Sequence, residues 1–199
     1  MTTTTPTALV VVDAVAEDRA RTTATLVGAF ITDPLLRWMF PDADQYLSYW
    51  PQLLRHYGGV AFDHGSAHRI SDFSGAALWL PPGVSPDEEA LGAVLAEGAD
   101  PSRLDDLFAV LEQVGASHPH EEYWYLPVIG VDPRSQGRGL GSALLAHSLG
   151  TIDDQHIAAY LESANPQNIP LYERFGFSVI GEIQAGNSPI VTTMYRPAR

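Results

Sequence analysis

Val131-Asp-Pro-Arg-Ser-Gln-Gly-Arg-Gly-Leu-Gly-Ser-Ala-Leu-Leu145 organises the reading of this chain. An apolar run, Leu126 to Val131, leads into it, halts at Asp132-Pro133, passes a glycine-rich turn and enters an apolar-periodic segment. The pattern is strand, then a loop of phosphate size, then helix. Gly137 and Gly139 can adopt backbone angles closed to other residues and let a ligand approach the main chain. A helix beginning near Gly139 presents unpaired N–H groups and its positive dipole end to an anion. Arg134 and Arg138 flank the turn with positive charge, so the stretch predicts a pyrophosphate cradle. A dinucleotide-binding turn would read Gly-x-Gly-x-x-Gly with an acidic residue about 20 positions on. Gly137, Gly139 and Gly141 are spaced Gly-x-Gly-x-Gly instead. The Gly-Lys-Ser/Thr ending of a triphosphate loop is also missing, and the chain contains no lysine.

Composition narrows the classes further. At 199 residues, 45% hydrophobic and 18% charged, the chain is expected to form a single globular domain over residues 8–199. No apolar stretch approaches the ~20 residues of a membrane span. Met1-Thr-Thr-Thr-Thr-Pro6 lacks the basic and apolar regions of a secretion signal, so a cytoplasmic location is expected. Residues 1–7 read as a disordered threonine-rich tail. With no cysteine there is no disulfide, thiolate metal site or cysteine nucleophile. His64, His68, His118 and His120 lie in loop-like, Gly/Pro-flanked contexts, and no metal site is expected. A formal charge of −13, from 24 acidic and 11 basic residues, disfavours nucleic acid and favours cationic acceptors such as protonated amines.

Periodicity sets out the remaining elements. Ala8 to Val15 reads as a first strand and Glu17 to Phe30 as a helix. Asp33-Pro34 opens a short helix, with Asp33 as N-cap and proline in the first turn. A longer helix follows over Asp44 to Phe62, broken or restarted at Pro51. Ala67 to Phe73 and Gly75 to Leu80 form a hairpin, and two helical patterns divided by Gly98 and Pro101 fill residues 86–116. Glu121 to Val131 is the fourth strand, Leu140 to Asp154 a helix and Ala158 to Ser163 the fifth strand. Asn165 to Phe175 is the last helix, before two closing strands at Phe177–Gln184 and Pro189–Arg196. Pro127 marks an edge or bulge in the fourth strand, because proline cannot donate to a ladder. The aromatics Trp38, Phe40, Tyr46, Tyr49 and Trp50 are divided between core and pocket.

A second signature follows the fifth strand: Asn165-Pro-Gln-Asn168-Ile-Pro-Leu-Tyr172-Glu-Arg-Phe-Gly-Phe177. Together with the glycine loop it resembles the GNAT superfamily of N-acetyltransferases. From Glu121 to Arg199 the chain is most similar to the puromycin N-acetyltransferase-like branch. The resemblance implies an α/β fold, a mixed, mostly antiparallel seven-stranded sheet flanked by helices, with its fourth and fifth strands parallel and splayed. It implies acetyl-coenzyme A as co-substrate, held at Arg134, Gln136, Gly137, Arg138, Gly139, Leu140, Gly141 and Ser142. The freed main chain of Ile129 and Val131 would pair with the coenzyme amides, Ile129 N–H polarising the thioester carbonyl. Asn165 and Asn168 are coenzyme contacts in this reading, and Tyr172 protonates the departing thiolate.

The function so implied is transfer of an acetyl group to a primary amine of an antibiotic- or metabolite-like molecule, by direct attack in a ternary complex. The general base is drawn from Glu121, Glu122, His118 and His120, with Glu122 favoured. The alternatives are a non-catalytic acetyl-coenzyme A sensor and an acetyltransferase for protein N-termini. Dimers are common in the superfamily, which makes a homodimer a candidate assembly.

Overall fold

The computed structural model describes residues 9–199, so the tail expected over residues 1–7 lies outside the described residues. Seven strands form one sheet: β1 (Val11–Asp13), β2 (Ala67–Ile70), β3 (Gly75–Leu80), β4 (Tyr123–Val131), β5 (Ala158–Ser163), β6 (Ser178–Ile183) and β7 (Val191–Arg196). Their order is β1-β2-β3-β4-β5-β7-β6. Every neighbouring pair is antiparallel except β4 and β5, which are parallel. The helices are α1 (Arg19–Ala29), α2 (Pro34–Met39), α3 (Ala43–Tyr57), α4 (Glu88–Gly98), α5 (Leu104–Ser117), α6 (Leu140–Asp154) and α7 (Ile169–Arg174). This is the α/β architecture expected from the sequence.

Strand alternation separates two cores. Ala76, Leu78 and Leu80 of β3 face one side, where Leu26, Phe40, Tyr46, Trp50 and Leu54 of the N-terminal helices cover them. Ala77 and Trp79 face the other side, packed with Leu144, Leu145 and Leu149 of α6 and Tyr172 of α7. All six residues of β3 are buried, which accounts for its unbroken apolar run. Gly130 of β4 has a steric reason to be glycine, since an added Cβ would stand 2.8 Å from the Ala29 Cβ of α1.

Several expectations are corrected. Of the strand expected over Ala8 to Val15, Ala8 lies outside the described residues, and among the rest β1 covers only Val11–Asp13. It is an edge strand laid against the four residues of β2, and beyond it the chain turns into a 3-10 helix at Ala16–Asp18. α3 runs through Pro51 without a break. Pro51 removes the donor for the Leu47 carbonyl, but Leu47 is exposed and water can serve that group. Packing of Tyr46, Trp50, Leu53 and Leu54 holds the helix on both sides of the proline. Those aromatics are mostly core: Trp38, Phe40, Tyr46 and Trp50 are buried, and only Tyr49 is half-buried. His68 lies in strand β2, not in a loop.

Candidate active site

The middle of the sheet is built to open. From Leu78↔Val128 to Leu80↔Tyr125, two steps along β3 match three along β4, so β4 carries a bulge at Leu126-Pro127. Parallel pairing with β5 runs from Tyr123↔Ala158 to Tyr125↔Tyr160 and ends there. Beyond Tyr125 the two strands part. Ile129 and Val131 lie in that stretch, both half-buried, and pair with Ala77 and Gly75 of β3 on the opposite edge.

The glycine loop closes the C-terminal end of β4. Asp132 accepts from the Arg134 N–H at 2.8 Å and starts a 3-10 turn, Pro133–Ser135. Gly137 and Gly139 have φ of 73° and 79°, the left-handed region that glycine enters without strain. Apart from the adjacent residues, nothing lies within 4 Å of where a Cβ would stand at either residue, so backbone conformation, not crowding, requires glycine there. Gly139 is the N-cap of α6, and Leu140 is buried as the helix anchor. Gly141 and Ser142 are half-buried in the first turn, whereas Gln136 and Arg138 are exposed. The Gln136 amide donates to the Val131 carbonyl at 3.2 Å. Arg134 folds back on Asp132, with Nη2 2.9 Å from Oδ2, and holds that carboxyl down to a pKa of about 2.

The second signature continues directly from the end of β5. Asn165 Oδ1 accepts from the Gln167 N–H at 3.0 Å, capping the 3-10 turn Pro166–Asn168 that feeds α7. Asn168 is exposed. Tyr172 is only 5% exposed, its ring edge-on to Phe177 at 6.2 Å. Burial pushes its phenol above the ordinary value, and the Asp33 carboxylate adds to the shift. The phenol therefore stays protonated at neutral pH, the state a proton donor needs. Asp33 is held by its capping role, accepting from the Leu35 and Leu36 N–H groups at 3.0 Å.

On the other face of the sheet lies a polar cluster centred on Glu162, two residues past the last β4–β5 pair. Its side chain is 6% exposed. Tyr125 donates to Oε2 at 2.7 Å, and the Tyr57 hydroxyl is bonded to Tyr125 in turn. Oε1 accepts no hydrogen bond, although His118 Nε2 stands 3.3 Å away within ion-pair reach. His118 Nδ1 shares a hydrogen bond of 2.7 Å with the Tyr123 hydroxyl. Burial first, then the Glu162 charge, raises the Tyr57, Tyr123, Tyr125 and Tyr160 phenols, keeping them neutral around the carboxylate. A buried carboxylate with one free oxygen inside a ring of tyrosines can accept a proton or hold an ammonium.

Of the sequence-derived base candidates, His118 belongs to this cluster. Glu122 is exposed just before β4 and makes none of the cluster's hydrogen bonds. Glu121 accepts from the Tyr195 hydroxyl at 2.7 Å, and His120 is exposed. Glu162 escaped the sequence reading. Its signal was a lone acidic side chain within the apolar run Ala158–Ser163, and a charge inside a central strand needs a reason.

Known proteins share this architecture. The model of the acetyltransferase (GNAT) family matches residues 46–177. An uncharacterized N-acetyltransferase of Schizosaccharomyces pombe is 27% identical over 176 residues, 81% of this chain and 71% of that protein. The crystal structure of a histone acetyltransferase HPA2 and related acetyltransferase from Corynebacterium glutamicum superposes with a TM-score of 0.68 at 26% identity, over 96% of this chain and 97% of that one. The Drosophila melanogaster polyamine N-acetyltransferase does so at 0.64 and 16% identity, over 96% and 100% of the two chains. The parted parallel strands, the left-handed glycine loop and these matches agree: the chain belongs to the acetyltransferase (GNAT) family and is an acetyl-transfer enzyme.

Proposed function

We propose that the protein moves the acetyl group of acetyl-coenzyme A to a primary amine of a small molecule, by direct attack in a ternary complex. Glu162 acts as base and Tyr172 as acid. One observation carries this reading: a buried carboxylate with an unbonded oxygen stands where β4 and β5 part, on the sheet face opposite Tyr172. The coenzyme enters between the strands, its pyrophosphate at the Arg134–Ser142 loop and its pantetheine arm along Ile129 and Val131. Asn165 and Asn168 border the same opening.

Glu162 takes one proton from the acceptor ammonium. The neutral nitrogen attacks the thioester carbonyl carbon, and the resulting oxyanion is met by the Ile129 N–H. Collapse breaks the carbon–sulfur bond and Tyr172 supplies a proton to the thiolate; of the two protons left on nitrogen, one is lost to solvent, which reprotonates the tyrosinate, and the other stays on the amide product. A small cationic acceptor suits the tyrosine ring around Glu162 and the net charge of −13. The polyamine N-acetyltransferase among the structural neighbours acts on acceptors of this kind.

The test is thiol release from acetyl-coenzyme A across puromycin, aminoglycosides, polyamines, amino acids and short peptides. The protein has no cysteine to add background. Glu162→Gln and Tyr172→Phe should each lower turnover by about 10²–10⁴-fold while leaving coenzyme affinity nearly intact. Loss in Glu162→Gln should ease as pH rises, because more acceptor is then already deprotonated. Full turnover in Glu162→Gln alongside a deficient Glu122→Gln would return the base to Glu122.

A further inference from the structure

We propose that Asp13, His68 and His147 form a binding site for a divalent transition-metal ion of the zinc class. None of the three belongs to the glycine loop or the Glu162 cluster, and they come from three separate elements. Asp13 and His68 are register partners across β1 and β2. His147 reaches them from α6, which packs beneath both strands.

The geometry is that of a ligand set. One donor atom from each residue lies within 4.8 Å of the other two. His68 Nδ1 is 3.0 Å from Asp13 Oδ1, and His147 Nε2 is 3.5 Å from the same oxygen. Donors bound at about 2.0–2.1 Å to a tetrahedral Zn²⁺ stand roughly 3.3 Å apart, so small rotamer changes bring all three into range. The imidazole rings sit edge-on, 4.8 Å between centroids at 74°, with their nitrogens converging on the carboxylate. Two imidazoles and one carboxylate are borderline donors that suit zinc and its neighbours over Mg²⁺ or Ca²⁺.

Side-chain exposures of 12% for His68, 38% for His147 and 72% for Asp13 give the ion a route in and leave room for water as fourth ligand. Bound metal would fasten the short edge strand β1 to α6, two turns along from the Leu140 anchor.

The experiment is calorimetric titration of the untagged full chain with Zn²⁺ and with Mg²⁺ at neutral pH. It is run on the wild type and on His147→Gln and Asp13→Asn. Both substituted positions are at the surface, and circular dichroism checks that the variants fold. One Zn²⁺ per chain is expected in the wild type, weakened at least about tenfold in each variant, with no matching response to Mg²⁺. Zn²⁺ should also raise the melting temperature of the wild type more than that of His147→Gln. Absence of Zn²⁺ binding would overturn the proposal, as would binding of equal affinity in both variants, since the other histidines would then hold the ion. Equal response to Mg²⁺ would reduce the cluster to a generic acidic surface.

Discussion

At Gly139 the backbone holds φ at 79° with open space where a side chain would project. Gly139→Ala therefore meets no clash but carries a left-handed penalty of about 1–2 kcal/mol. The cheapest relief is a rotation of the loop. Acetyl-coenzyme A affinity is expected to fall about tenfold, measured by calorimetry, with little change in the melting temperature. This residue was legible in the sequence because the turn, its glycines and the following helix are contiguous. Glu162 was not. Its setting is built by Tyr125 and His118, with Tyr57 bonded behind Tyr125, from three other places in the chain, and no local spacing encodes that meeting. Glu122 drew attention through proximity to β4, yet proximity in sequence did not bring it into the cluster.

Among the elements, α6 and β5 occupy the spans read from the sequence, Leu140–Asp154 and Ala158–Ser163. Glycine N-cap, apolar period and a short apolar run all agreed there. The break expected at Pro51 did not occur, because tertiary packing along α3 outweighs one missing hydrogen bond. Nothing local announced the junction at Arg196, the last residue of β7. Its side chain is buried, with Nη1 and Nη2 at 2.6 and 2.8 Å from the Asp153 carboxylate of α6. Its Nε donates at 2.8 Å to the Phe175 carbonyl just after α7. Three elements meet on one planar fork. Arg196→Lys keeps the charge and loses the fork, so urea denaturation should report a loss of about 1–3 kcal/mol.

For the molecule as a whole, acid is the condition to fear. Arg69 holds the Asp18 carboxyl below its ordinary range, Arg134 does so for Asp132 and Arg196 for Asp153. A folded value below the unfolded one gives stability that is present above the unfolded pKa of about 3.8 and is lost as pH falls through the folded values. His68, also lowered but from 6.5, adds an earlier loss: below that pH the unfolded chain binds its proton first. Asp33, raised by burial, opposes the carboxylate trend. Calorimetric scans should show the melting temperature declining gently below about pH 6.5 and steeply below about pH 4. A melting temperature that climbs steadily with acid would mean that relief of the −13 net charge outweighs these groups.

The three-pair seam between β4 and β5 has a consequence for the chain's own cohesion. Strands β1 to β4 lie on one side of it and β5 to β7 on the other, and the polypeptide crosses once, through α6. The sheet is thus two leaves sewn along a short spine. In the proposed complex a donor lying in the gutter would add main-chain rungs that the polypeptide leaves out. By mass action, the concentration of donor would then also set how firmly the two leaves are bound together.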